Sequence, residues 1–150
     1  MPSMVNPNPP MAGRLGYALG WTVYLIGLIR LWPALVSWLF GAPVEPAAEL
    51  LALLITGIVM FAVFVAFSSR WKLMTPAQAP PVPLVVLGVV LGFAVLVGLT
   101  GLNLHAGVPQ AAHTQAAWTL GLVEGLWIAS AFYVLPAISR RLAPRDPPVS

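Results

Sequence analysis

Four long apolar segments dominate this sequence and limit what it can fold into. They cover residues 15–40, 49–69, 82–102 and 113–139, and each can cross about 30 Å of hydrocarbon, which takes roughly 20 helical residues. The composition agrees, because 59% of the residues are hydrophobic and only 7% are charged, whereas charged residues make up about a quarter of soluble domains. Since a segment in lipid must satisfy its own backbone hydrogen bonds, each is predicted to be an α-helix.

The breaks between these segments are short and all contain proline, which favours antiparallel neighbours. We therefore predict an all-α membrane protein, a four-transmembrane-helix up-down bundle. The Pro- and Asn-rich start has no early basic region or clear cleavage site, so it is predicted to be a disordered arm rather than a signal peptide. The domain boundaries are residues 1–13 for this arm, 14–141 for the membrane domain and 142–150 for a flexible tail.

The basic residues near the segment ends predict the orientation of the chain. One outer loop holds Glu45 and Glu49, and neither outer loop contains Lys or Arg. By the positive-inside rule, both termini are predicted to be cytoplasmic, in a cell inner membrane. Because the formal net charge of +3 serves this topology, we expect the lipid bilayer and larger integral membrane subunits as partners and no nucleic acid. The basic residues that support this orientation are Arg14, Arg70, Lys72, Arg140, Arg141 and Arg145.

Arg30 and Glu124 are the only charged residues deep inside the segments, where each would cost roughly 2.5–3.5 kcal/mol or more. Arg30 lies ten residues before Phe40 and Glu124 eleven residues after His113, so both are about 15–16 Å from the outer ends of their helices. We predict an intramembrane pair between the first and fourth helices. The alternatives are that Arg30 reaches the surface or a partner subunit and that Glu124 is protonated, either structurally or as a proton relay.

Glycines four residues apart recur in three of the segments. Such pairs form a flat groove in which helix backbones approach closely, so they are predicted to mark helix packing. The pairs are Gly16 with Gly20, Gly88 with Gly92, and Gly121 with Gly125. Several tryptophans lie mostly toward segment ends and are predicted to anchor the chain at the membrane surface: Trp21, Trp32, Trp38, Trp71 and Trp118.

Few residues are suited to catalysis or to holding a cofactor. The chain has no cysteine and shows no nucleophile triad, carboxylate cluster or phosphate loop, so we expect a non-enzymatic protein without a cofactor. Only His105 and His113 could ligate a haem or a metal, and both lie near the predicted outer surface. The alternatives are a haem b held by these histidines and ordinary interfacial histidines. No metal site is predicted.

The fourth segment, "AHTQAAWTLGLVEGLWIASAFYVLP", resembles the second transmembrane helix of the catalytic subunit of bacterial nitric oxide reductases and the related cbb3-type haem-copper oxidases. The resemblance covers residues 113–136, one helix of the four, and it implies that His113 ligates a low-spin haem b near the outer surface. Too few histidines remain for a second haem and a metal, which excludes a complete reductase or oxidase. The matching residues are His113, Thr114, Gln115, Ala131, Tyr133 and Pro136.

These observations predict an accessory or assembly subunit of a larger membrane respiratory complex, of the nitric oxide reductase or haem-copper oxidase type. One alternative is a small b-type electron carrier that uses His113. A further alternative is a small proton-coupled transporter that uses Arg30 and Glu124. The accessory subunit fits the shortage of catalytic residues. The electron carrier would have to show a visible haem spectrum, and the transporter would have to show a proton flux that depends on Glu124.

Overall fold

A computed structural model describes residues 11–67 and 82–142 of the chain. These residues confirm the predicted all-α membrane fold, with four helical spans that are long and apolar enough to cross a bilayer. The first span consists of two α-helices that are joined without a break by a π-helical turn, and each of the other three spans is a single α-helix. The elements are α1 (Met11–Ile26), a π-helical turn (Gly27–Leu31), α2 (Trp32–Leu39), α3 (Pro46–Phe67), α4 (Val82–Thr100), a 3-10 turn (Gln110–Ala112) and α5 (His113–Leu142).

The predicted helix bounds hold to within a few residues. The first span begins at Met11, inside the predicted arm, because its helical pattern extends upstream of Arg14. The last helix continues to Leu142, one residue into the predicted tail. The rest of the arm and of the tail lies outside the described residues, as do Arg70, Lys72 and Arg145.

Helix α5 is the centre of the packing. It contacts α4 along one side and α1, the π turn and α2 along the other, while α3 packs on α1. The helices pack antiparallel, since Gly98 of α4 lies against Trp118 and Val90 lies against Gly125 further along α5. Residues 40–45 and 101–112 therefore meet at one end, here called the loop end. The opposite end, with the start of α1 and the end of α5, is the terminal end.

Small residues allow α4 and α5 to approach closely. A Cβ built on Gly121 would lie 2.7 Å from the Phe93 carbonyl oxygen, and one on Gly125 would lie 2.8 Å from the Val90 Cα. Without these Cβ atoms the two backbones come into direct contact, as they do at other small-residue helix interfaces in membranes. Alanines fill much of the remaining interior, including Ala94, Ala116, Ala117, Ala129 and Ala131.

The π turn interrupts the first span just before Pro33. Proline has no backbone N–H, and its ring crowds the carbonyl four residues earlier, which here is that of Ile29. The helix widens at this point, and the backbone N–H of Trp32 donates to Gly27 O, five residues back, instead of to Leu28 O. Such π turns shift the helix face that follows them and often occur at functional sites.

The connection between α4 and α5 folds into the loop end rather than lying above it. Gly101 and Asn103 adopt left-handed backbone angles, with φ of 64° and 68°, which glycine and asparagine tolerate best. The chain then inserts Leu104 among Val36, Val97 and Leu120, and Val108 packs nearby. This connection therefore forms part of the interior at the loop end.

Helix α3 has the least contact with the rest of the chain. None of its residues is buried, and its side chains are apolar on all sides apart from Glu49, Thr56 and the glycine at 57. A helix that is apolar all round is suited to a lipid environment. The four apolar spans together identify the chain as a membrane protein.

Candidate functional site

Glu124 is the most deeply buried charged residue in the described part of the chain. Only 1% of it is exposed, because it lies on α5 between Leu120, which faces α2 and α4, and Trp127, which faces α1. Its Oε1 atom is buried and has no hydrogen-bond partner among the described residues. Burying a carboxyl oxygen without a partner is costly, so this atom marks a candidate functional site.

Arg30 lies at the same level of the membrane but in a different environment. Gly27 packs against Trp127 and Val36 packs against Leu120, and Arg30 and Glu124 each lie between these two contacts. However, Arg30 is exposed whereas Glu124 is buried. The predicted Arg30–Glu124 ion pair is not formed, since Arg30 has no ion-pair partner among the described residues.

Arg30 and Glu124 are not paired because α1 and the π turn contact α5 through a face that does not include Arg30. Gly27 occupies the contact position, and the Trp127 ring fills the space in which its side chain would stand. Arg30 follows within the π turn, whose wider backbone rotates it away from α5. The two charges therefore share a depth without sharing a face.

Trp32 contributes a second buried polar atom, at the contact of the first span with Leu120 and Trp127 of α5. Its ring packs against the cluster of Val36, Val97 and Leu120 and lies 5.5 Å from the Trp127 ring in an edge-to-face arrangement. Its Nε1 atom is buried without a hydrogen-bond partner in the described part of the chain. Trp32, predicted to be an interfacial anchor, therefore lies in the interior beside the turn of α5 that carries Glu124.

Three polar contacts involve the connection between α4 and α5. The Asn103 side chain is a hydrogen-bond partner of the Glu124 side chain. Two residues further on, the His105 backbone N–H donates to the buried Ser37 Oγ at 3.1 Å. The His105 Nε2 atom lies 3.6 Å from Glu49 Oε1, at the start of α3. The His105 side chain remains 34% exposed, so this set of groups reaches the surface.

On the terminal side of Glu124, the side chains of Tyr24, Trp127 and Ser130 form hydrogen bonds within the protein. The Tyr24 hydroxyl and Ser130 Oγ lie 2.8 Å apart, and Ser130 Oγ also donates to the Trp127 carbonyl at 2.7 Å. The Trp127 Nε1 atom donates to the Tyr24 carbonyl at 2.9 Å. Two of these bonds, Tyr24 with Ser130 and Trp127 with the Tyr24 carbonyl, hold α1 and α5 together.

The two predicted haem candidates occupy different positions at the loop end. His105 is engaged with Glu49, whereas His113 is exposed at the first position of α5 and its ring lies against Gly101. No group of three or more His, Asp or Glu residues suited to a metal ion occurs among the described residues. The haem assignment stays a prediction.

The predicted glycine pairs face three different environments. Gly121 and Gly125 lie against the backbone of α4, and Gly20 lies against Leu135 of α5. A Cβ on Gly88 or Gly92 would meet no atom within 4 Å, so this pair lies on the open face of α4. Gly16 lies in a groove of about 510 Å³ between α1 and α5, which is lined by Gly16, Leu19, Gly20, Val23, Tyr24, Trp127, Val134 and Ile138.

Sequence reasoning missed Asn103, Trp32, Ser37 and Trp127 as neighbours of the buried carboxyl or of its route to the surface. Gly101 and Asn103 gave one available signal, because glycine and asparagine are the residues that most readily adopt left-handed backbone angles. Nothing in an apolar sequence indicates that the following residues fold inward.

No protein-family model, characterised protein or solved structure matches this chain. The resemblance of residues 113–136 to a nitric oxide reductase helix therefore stays a prediction.

Proposed function

We propose that this protein is a non-enzymatic accessory or assembly subunit that binds a larger integral membrane subunit. The observation that supports this most directly is Arg30, which is exposed in the middle of a membrane span. Arg30 has no ion-pair or hydrogen-bond partner among the described residues. The complex would be respiratory, of the nitric oxide reductase or haem-copper oxidase type, as the resemblance of the last helix implies.

The position of Arg30 determines what its partner must supply. Arginine stays ionised and has only hydrogen-bond donors, and exposing it to hydrocarbon at mid-membrane costs roughly 2.5–3.5 kcal/mol or more. A carboxylate on a helix of a partner subunit removes this cost and gives a charge-assisted, two-pronged contact. The proposed partner therefore carries an Asp or Glu at the depth of Arg30.

The surface of the first span offers room for such a helix. The groove between α1 and α5 is lined by Gly16 and Gly20 of α1 and by Val134 and Ile138 of α5. Because this groove is open along the surface between α1 and α5, a neighbouring helix can pack into it. The open Gly88 and Gly92 face of α4 gives a second surface of the same kind.

The proposed placement is the inner membrane with both termini in the cytoplasm. This is supported by Arg14 at the terminal end of α1 and by Arg141 at the same end of α5, because positive residues stay on the cytoplasmic side. The loop end, with Glu45, Glu49, His105 and His113, then faces outward.

The test is purification of the tagged chain from its native membrane in mild detergent, with identification of the proteins that come with it. We expect large respiratory subunits with the wild type and with Arg30→Lys, and their loss with Arg30→Gln. The matched control is Arg14→Gln, which removes the same charge near the end of the span and should leave the complex intact. Equal recovery of the subunits with Arg30→Gln and wild type contradicts docking through Arg30.

The visible spectrum of the isolated chain, recorded on the same preparation, separates the accessory proposal from the electron-carrier alternative. A colourless chain is expected for a non-enzymatic subunit. A reduced b-type band that stays with the isolated chain and disappears in His113→Ala would show a haem protein and overturn the accessory-only proposal.

A further inference from the structure

Glu124 is the second unpaired ionisable residue at mid-membrane depth. It differs from Arg30 because its side chain lies in the protein interior and not at the protein surface. It is 1% exposed, its Oε1 atom has no partner among the described residues, and no cation faces it. Helix α4, which packs along α5, contains no titratable residue. On the other side, Arg30 is exposed, and the Tyr24 hydroxyl is already engaged with Ser130.

The connection between α4 and α5 supplies the remaining polar groups. Asn103 reaches the Glu124 side chain, and His105, the titratable group of this connection, is paired with Glu49 of α3. A second buried carboxylate oxygen, Glu49 Oε2, also has no partner among the described residues. Thus each of two carboxyl groups with an unpaired oxygen has a partner on this connection: Asn103 for Glu124 and His105 for Glu49.

A proton is the ligand that this arrangement fits. A metal ion needs several ligand atoms, and no cluster of three or more candidate ligands occurs in the described ranges. Moreover, the Trp32 Nε1 atom beside Glu124 is a donor and cannot ligate a cation. A proton needs only one carboxyl oxygen, and isolated buried carboxylates take one up instead of staying charged.

We propose that Glu124 is an intramembrane proton-binding site that exchanges protons with water at the loop end through Asn103 and His105. On binding, a hydronium ion at the loop end gives up its proton, a new O–H bond forms at a carboxylate oxygen of Glu124, and a water molecule remains. Release is the reverse step, and no electrons are transferred. We place the access at the loop end because Asn103 and His105 belong to the connection there and the His105 side chain is partly exposed.

Infrared spectroscopy of the full chain in lipid vesicles tests this site. A pH titration should show a C=O band from a protonated carboxyl group that shifts in D2O and is missing in Glu124→Gln. The matched control Glu45→Gln removes an exposed carboxyl at the loop end and should keep the band. Circular dichroism and gel filtration of Glu124→Gln establish that the variant is folded.

The side of access is tested by the rate at which the band shifts after transfer to D2O. His105→Leu, which removes a polar group on the loop side, should slow the shift several-fold, whereas Tyr24→Phe, which removes a hydroxyl on the terminal side, should leave it unchanged. Four results overturn the proposal: no such band in the wild type at any pH, a band that persists in Glu124→Gln, a band that never shifts in D2O, or slowing by Tyr24→Phe instead of His105→Leu. None of these measurements depends on a partner subunit, so they stand apart from the test of Arg30.

Discussion

The contact between α4 and α5 gives the sharpest test of the packing. A Cβ at Gly121 would lie 2.7 Å from the Phe93 carbonyl oxygen and 2.9 Å from the Ala94 Cα, against 3.4–4 Å for ordinary contact. These are backbone atoms, so Gly121→Ala must push the two helices apart by about 0.5–0.7 Å. A gap of that size forfeits about a quarter to a half of the dispersion energy of each contact it opens, and overpacking of this kind typically costs about 1–3 kcal/mol.

Two further glycines serve as matched controls for this substitution. A Cβ at Gly98 would meet the Trp118 ring at 2.5 Å, but that side chain is 38% exposed and can turn aside, so the cost of Gly98→Ala should be smaller. Gly92 faces open space, and Gly92→Ala should be neutral or stabilise by up to about 1 kcal/mol through helix propensity. The free energy of unfolding in detergent, measured by titration with a denaturing detergent, should rank the variants in that order. If Gly121→Ala were as stable as Gly92→Ala, the close approach of α4 and α5 would be refuted.

Two further predictions use the same unfolding assay. Trp127→Phe keeps a ring on Gly27 but removes the hydrogen bond to the Tyr24 carbonyl, so it should cost about 0.5–1.5 kcal/mol. Trp127→Ala also leaves a cavity and should cost about 3–5 kcal/mol. Equal losses of stability in the two variants would contradict these separate contributions of the bond and the ring. Ser37→Ala leaves the His105 backbone N–H without its acceptor and should cost about 1–3 kcal/mol, while the exposed Thr119→Ala, whose hydroxyl bonds its own helix, should change little; a neutral Ser37→Ala would show that the connection does not depend on this bond.

The helices and their depths could be predicted because they depend on length alone. An apolar stretch must be helical in lipid, and the fixed rise per residue places Arg30 and Glu124 at one level, where the contacts of Gly27 and Val36 with α5 also place them. The orientation across the membrane stays a prediction, and three of the six basic residues that support it, Arg70, Lys72 and Arg145, lie outside the described ranges.

The faces of the helices could not be predicted in the same way. Lipid and protein interior are both apolar, so the pattern around Arg30 does not say which side meets α5. The π turn ahead of Pro33 adds a rotation that ideal helical spacing leaves out. The position of Trp32 was mistaken for the same reason, because an apolar pattern does not show whether a tryptophan beside this turn faces lipid or the interior.

The different surroundings of the two charges follow from what each can do about its own charge. A glutamate can be neutralised by a proton alone, so Glu124 can be enclosed at 1% exposure with only Asn103 beside it. An arginine stays ionised and always needs acceptors, and enclosing it would require a carboxylate that the fold has placed elsewhere. The two residues are therefore consistent with separate roles. Arg30, at the protein surface, is left for a partner subunit to pair. Glu124, in the protein interior, needs nothing larger than a proton.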